Sequence, residues 1–347
     1  MLVSLDPRTA ARRWTAAAWL AGLLLALALL SLAPYLGSSS ELVRLRNAWL
    51  LSDQPGTDFG FSPERMPADF LVEQRAPEPL FVDVVRGLQL DALPDDWDRA
   101  ARIARHLLAH SDHGEGGANQ TDLKRSYQAI IDHGEGYCAD LVRAFTALAN
   151  AAGLSTRLWA FSFDGFGGHG HVWVELWNRQ RQRLQLIDVY NNAYFVDSTS
   201  DEPLSALALR SAMQQRPGSL RMLRIAPDSP PGYVHPDKAW AYYRRGLAQW
   251  YMWWGNNPNT FDQALLVRSL TPVSYTLGQL GGLVQGLYPR IRVLATPDNA
   301  PQLAAMRRLR QQIGLVMAVG GGAALVWAVS LAMAWRARRR AAAGAAR

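Results

Sequence analysis

Gly134-Glu135-Gly136-Tyr137-Cys138-Ala139-Asp140 contains the only cysteine of a 347-residue chain, and the residues after it read as an amphipathic helix. Leu141, Phe145 and Leu148 recur at helical spacing, with Ala144 and Ala151 beside them, and Gly153 supplies a left-handed terminator. The helix is expected to begin at Cys138. A lone cysteine cannot close an internal disulfide, so its sulfur is read either as a nucleophile or as a small buried hydrophobe.

Three strand-like runs come after the helix. Thr156 to Phe163 is rich in β-formers, while His171-Val172-Trp173-Val174-Glu175-Leu176-Trp177 and Leu184 to Val189 alternate. Asn178 to Arg183 is a polar turn, so the last two runs read as an antiparallel hairpin. A helix succeeded by consecutive antiparallel strands predicts an α+β architecture, with the cysteine-bearing helix on an antiparallel sheet.

Cys138, His171 and Asp188 supply what thiol acyl transfer requires. A helix N-terminus favours thiolate through its unsatisfied N–H groups and dipole. The loop Gly134 to Tyr137 lets backbone approach a substrate carbonyl, and the Cys138 N–H is a candidate oxyanion donor. His171 opens one strand and would take the thiol proton, then deliver it to a leaving amine. Asp188 ends the neighbouring strand and would fix the imidazole tautomer. His169 stands two residues away but reads as loop. Glu175 shares the strand face of His171 and Trp173, where local charge pairing is its expected role. Asp140 is expected as a surface residue complementing the helix dipole, and Asn191 and Asn192 as turn formers. Gln128 and Tyr127 are candidate side-chain oxyanion donors.

Gly136-Tyr137-Cys138-Ala139-Asp140, the helix to Gly153, His171-Val172-Trp173-Val174-Glu175 and Ile187-Asp188 together resemble the transglutaminase-like superfamily of papain-like cysteine enzymes. The likeness spans roughly residues 95 to 200. It implies a papain-like core with Cys138 as nucleophile, His171 as base and Asp188 as its orienter. It also implies peptide or protein amide substrates, with cross-linking, proteolysis and deamidation all open. Some relatives use calcium, but no acidic loop here demands it, and no cofactor is expected. His113 and His133 sit in His-Gly-Glu-Gly repeats without the ligand spacing of a metal site.

The flanks place this core at a membrane. Trp14 to Leu36 and Ile313 to Trp335 are free of charge and long enough to span a bilayer, with Trp14, Trp19, Tyr35 and Trp335 near their ends. Ser31 and Ala33 resemble a signal-peptide cleavage site, but Pro34 disfavours cleavage, so the first span reads as an uncleaved anchor. The formal charge of +7 arises entirely in the two tails. Arg8, Arg12 and Arg13 against Asp6 precede the first span, and Arg336, Arg338, Arg339, Arg340 and Arg347 lie beyond the second. Basic tails beside apolar spans mark the cytoplasmic side. That argues for membrane lipid rather than nucleic acid as the partner of the charge. Arg307, Arg308 and Arg310 on the proposed outer side oppose this orientation, though the C-terminal tail carries more arginine. Gly314, Ala318 and Gly322 form a small-residue face for packing on the first span or on a second chain.

The expected organisation is therefore a cytoplasmic tail (1–13), a transmembrane helix (14–36), an extracytoplasmic tether with short elements (37–94) and the core (95–200). A helical, aromatic-rich extension (201–312), a second transmembrane helix (313–335) and a basic cytoplasmic tail (336–347) complete it. Gln54-Pro55-Gly56 and Arg75-Ala76-Pro77-Glu78-Pro79 punctuate the tether. Pro94-Asp95-Asp96 opens a helix through Leu108. In the extension, Pro203 to Gln215, Asp237 to Trp254 and Thr271 to Gly286 read as helices, the second packing its aromatic cluster into core. The expected location is the inner membrane, two-pass, with the catalytic domain in the periplasm or outside. The functional reading is a membrane-anchored thiol enzyme acting on amides. The rival is a catalytically silent binding or assembly module, whose partner would be a cell-envelope or exopolysaccharide complex. A redox role lacks a second cysteine.

Overall fold

A computed structural model describes residues 6–52, 54, 56–111 and 117–345. Pro55 and His113 lie outside the described residues. In chain order the helices are α1 (Pro7–Leu30), α2 (Ser39–Leu50), α3 (Pro79–Gly87), α4 (Asp96–His110), α5 (Leu123–His133), α6 (Cys138–Ala151), α7 (Ala206–Gln215), α8 (Pro236–Arg245), α9 (Pro258–Asp262), α10 (Leu265–Leu270), α11 (Tyr275–Val284) and α12 (Ala300–Ala345). The strands are β1 (Thr156–Ser162), β2 (Gly170–Asn178), β3 (Arg183–Ile187), β4 (Ala193–Asp197), β5 (Leu220–Arg224), β6 (Trp250–Trp254) and β7 (Arg290–Val293). The chain divides into two units, residues 1–49 with 304–347, and residues 50–303.

In the first unit, the helices Pro7–Leu30 and Pro297–Ala343 are long and apolar enough to cross a membrane. They run antiparallel. Gln312 Nε2 donates to the Ser31 carbonyl at 2.9 Å and Arg338 to Thr15 Oγ1 at 3.1 Å, and the Trp327 ring lies against Gly22. The buried seam runs through Gly320, Ala323, Ser330, Ala334 and Ala337 on α12 and Ala11, Ala18 and Ala21 on α1. The face of Gly314, Ala318 and Gly322 is not the one packed on the first span: Gly314 and Gly322 have no neighbour within 4 Å of a built Cβ. Trp19, Leu20, Leu27, Leu325 and Trp335 point outward, as lipid-facing side chains do.

The second unit is α+β, as its alternation of patterns predicts. Its sheet has the order β3-β2-β1-β6-β7, every neighbour antiparallel. Helices α3 to α6 cover one face. Leu141, Phe145 and Leu148 of α6 are fully buried against a cluster that includes Val174, Leu176 and Ile187. Truncating any one to alanine would cost about 2–5 kcal/mol. The opposite face carries Trp159, Phe161, Trp173, Leu186, Trp250 and Met252 under α7 and α8.

Two expectations about organisation are overturned. The segment from Leu50 to residue 94 is not a tether: Phe59, Phe61 and Phe70 pack edge-on to Trp254 or to one another, and Leu71 bonds the Trp254 carbonyl. The 201–312 region is not only helical, because it supplies β6 and β7 to the central sheet and β5 to a small β4-β5 ribbon. Asp237 to Trp254 is a helix that stops at Arg245, with a strand after it. Trp250, Met252 and Trp254 face the core cluster opposite α6. Tyr251, facing the other way, is buried as well, so the strand is apolar on both sides and loses its alternation.

Candidate functional site

The loop before Cys138 is fixed by a small number of bonds. Gly134, at φ 68°, ends α5 and returns its N–H to the Ile130 carbonyl. Gly136 adopts φ 140°, and a built Cβ there meets Asn119, Asp140 and Ile130 at 3.1, 3.2 and 3.3 Å. Asp140 accepts from the backbone N–H groups of Tyr137 and Asn119, both at 3.0 Å, and from the Ser126 hydroxyl at 3.4 Å. It is 4% exposed, so the surface role expected for it is wrong. It ties the Cys138 turn to α5 and to the chain before α5, and burial raises its pKa despite these bonds. Cys138 is then the first residue of α6 and is half-buried. The Asp140 N–H turns back to the Tyr137 carbonyl at 2.9 Å, and the Cys138 and Ala139 N–H groups, as the first two of the helix, have no carbonyl partner within it.

His171 is the second residue of β2, paired with Phe161 of β1. Asp188 comes directly after β3. The register Val174↔Ile187 puts Asp188 opposite Trp173 and diagonal to His171 on the same face. Nε2 of His171 and Oδ2 of Asp188 are 2.7 Å apart, and the two side chains are 1% and 0% exposed. Asp188 is also held by three further donors. Tyr243 Oη at 2.8 Å and Asn191 Nδ2 at 3.0 Å donate to Oδ2, and the Asn191 N–H at 3.1 Å donates to Oδ1. A buried carboxylate needs such a set of donors to remain charged. Asn191 also donates to Tyr243 Oη at 3.0 Å.

Nδ1 of His171 has no partner that meets hydrogen-bond geometry, yet the Cys138 thiol lies close enough to act on the imidazole as a partner. Burial opposes protonation of this ring. The charge and hydrogen bond of Asp188 outweigh it, Cys138 adds to them, and the pKa is pushed up to about 10. Around the ring stand Phe161, Trp173, Tyr190 and Tyr242, with centroids 5.6, 5.7, 6.0 and 5.7 Å away. Burial raises the pKa of Tyr190, Tyr242 and Tyr243, so these phenols keep their protons.

Thus β2 and β3 bring His171 and Asp188 together, and the α6 N-terminus brings Cys138 near enough to act on the ring. Other expected residues lie elsewhere. His169 is exposed in the loop before β2. Glu175 is wholly buried and pairs with Arg157 at 2.6 Å, the Trp159 indole at 2.8 Å and the Ala206 N–H at 2.7 Å, which is the local pairing expected of it. Tyr127 is buried with its hydroxyl 2.8 Å from His106 Nε2, and Gln128 is exposed on α5. Tyr127 therefore already has a partner for the proton it was expected to donate. Among the described residues no three His, Cys, Asp or Glu side chains gather as a metal site would require.

Two residues of the site escaped the sequence reading. Asn191 and Asn192 both lie in the turn after Asp188, as expected, Asn192 at φ 51°, and Asn191 in addition turns its amide inward to Asp188. Tyr243 arrives from α8, 55 residues beyond Asp188, with no local signal to single it out among neighbouring aromatics.

Residues 84–186 match a family model described as Transglutaminase-like superfamily. No curated protein and no solved structure matches the chain.

Proposed function

We propose, from the premise that residues 84–186 form a transglutaminase-like domain, that this membrane protein is a cysteine-dependent acyl-transfer enzyme acting on amide bonds. The observation that carries the reading is the buried His171–Asp188 bond, with a half-buried thiol at a helix N-terminus close enough to raise the imidazole pKa.

His171 carries the thiol proton as imidazolium before attack, and in the first step the Cys138 sulfur attacks the amide carbonyl carbon. The carbonyl electrons move to oxygen, where the Cys138 N–H at the start of α6 is the donor for the developing charge. The C–N bond then breaks, the nitrogen takes the proton from His171, and an amine leaves a thioester on Cys138. Water or a second amine attacks the thioester, gives its proton to His171, and releases acid or a new amide as the thiol is restored. Asp188 holds Nε2–H throughout and stabilises the imidazolium. Tyr243 and Asn191 hold Asp188 and touch no reacting atom.

The basic tails favour a two-pass arrangement in the inner membrane with residues 37–312 on the outer side. Peptide or protein amides of the cell envelope are then the substrate class, and hydrolysis is favoured over cross-linking. The test is labelling of the full chain with an electrophilic peptide-amide probe and then mass spectrometry of the modified peptide. Modification at Cys138 that disappears in Cys138→Ala and His171→Ala supports the enzyme. Labelling that is indifferent to His171→Ala rejects it in favour of a binding module.

A further inference from the structure

We infer that the α10–α11 hairpin is a membrane-docking element whose outward leucine and valine side chains rest in the surface of a lipid bilayer. Helix α11 is built inside out relative to the surface helix of a water-soluble domain. Its buried positions are Gly278, Gly281 and Gly282. A side chain at these sites would collide with Thr271 and with the Phe261 ring at the first and third, and at the second a Cβ would sit 2.9 Å from Leu266 Cβ. The exposed positions are Leu277, Leu280 and Val284, at 39%, 49% and 81%. Leu265 and Val273, on α10 and the connection, add 74% and 75%. A surface helix in water buries its apolar stripe. Small residues inward and leucine outward is the arrangement of helices packed in lipid.

Charge and chain length identify the occupant as bilayer. No Asp or Glu occurs from Gln263 through Pro297, while Arg268 and Arg290 are exposed. Nothing on the hairpin repels anionic headgroups, and two guanidinium groups attract them. Only residues 37–49 and 304–312 join this unit to the apolar spans, so chain length alone keeps it near a membrane.

The test uses the full chain in vesicles of phosphatidylethanolamine and phosphatidylglycerol. Cys138→Ala removes the single native thiol, and spin labels are then placed through Leu277→Cys, Leu280→Cys, Val284→Cys and, as an aqueous reference, the exposed Thr199→Cys. Collision rates are compared for oxygen, which concentrates in lipid, and for a water-soluble nickel chelate. The oxygen-to-nickel ratio is expected to be about tenfold or more higher at the three α11 positions than at Thr199. Ratios equal to that at Thr199 would overturn the proposal. So would dipolar broadening between labels on two chains, which would assign the face to a second copy of this protein.

Discussion

Replacing Asp188 by asparagine keeps the shape of the site and removes the charge on which the imidazole depends. Oδ2 of Asp188 faces three donors and Oδ1 a fourth. An asparagine must turn its NH2 toward one of those sets, so a donor meets a donor and one buried group loses its bond, at a cost of about 1–3 kcal/mol. The larger effect is on protons. His171 of the folded wild type holds its proton up to about pH 10, whereas in the unfolded chain it releases it near the usual 6.5. The stability this provides is complete below 6.5 and is lost as the pH rises toward 10. Within that window wild-type stability falls by about 1.4 kcal/mol per pH unit from this group. Its side chain is 1% exposed, so solvent screening does not reduce the figure. In Asp188→Asn burial is no longer outweighed, so the folded imidazole gives up its proton more readily than the unfolded one and the slope above pH 6.5 disappears. Melting of the full chain in detergent, monitored by tryptophan fluorescence at pH 7 and pH 9, reads the difference. The wild type should lose roughly 5–10 °C between these values relative to the variant, at about 2–4 °C per kcal/mol. Contributions from other groups cancel in the comparison. Parallel pH dependence in the two proteins would refute the charge pair.

Tyr243→Phe removes one donor from the Asp188 carboxylate, and thermal melting should report a loss of about 1.5–3 kcal/mol with slower labelling of Cys138. Glu175→Gln breaks the buried pair with Arg157, so denaturation should show a loss of about 3–5 kcal/mol while residual folded protein keeps its thiol reactivity. Gly136→Ala forces a Cβ into a left-handed position against Asn119 and Asp140. A loss of about 1–3 kcal/mol in melting and a displaced, slowly labelled Cys138 are expected.

How legible each element is in the chain depends on how local its signal is. The helix from Cys138 and the β2–β3 hairpin rest on spacing within about a dozen residues, and there period and turn chemistry agree with the packing. His171 and Asp188 were legible because a hairpin fixes their register. Tyr243 was not, since its bond to Asp188 depends on how α8 crosses a sheet face. Trp250 to Trp254 misled because a strand apolar on both faces shows no period of two, and aromatic residues suit a buried helix as well. Asp140 misled for a related reason. An acidic residue in a first helical turn serves the dipole whether exposed or not, and only the approach of Asn119 and Ser126 buries it. The residues from Leu50 to Arg75 looked like linker because Phe59, Phe61 and Phe70 are spaced irregularly, and they find their partner, Trp254, in a distant part of the chain.

The most direct test of the account is the rate at which Cys138 reacts with a neutral alkylating reagent at pH 6, in the wild type and in His171→Ala. If the imidazole takes the thiol proton, the wild type should react on the order of 10-fold to 100-fold faster than the variant. Equal rates in the two proteins would contradict it and leave the sulfur a packing atom at the start of a helix.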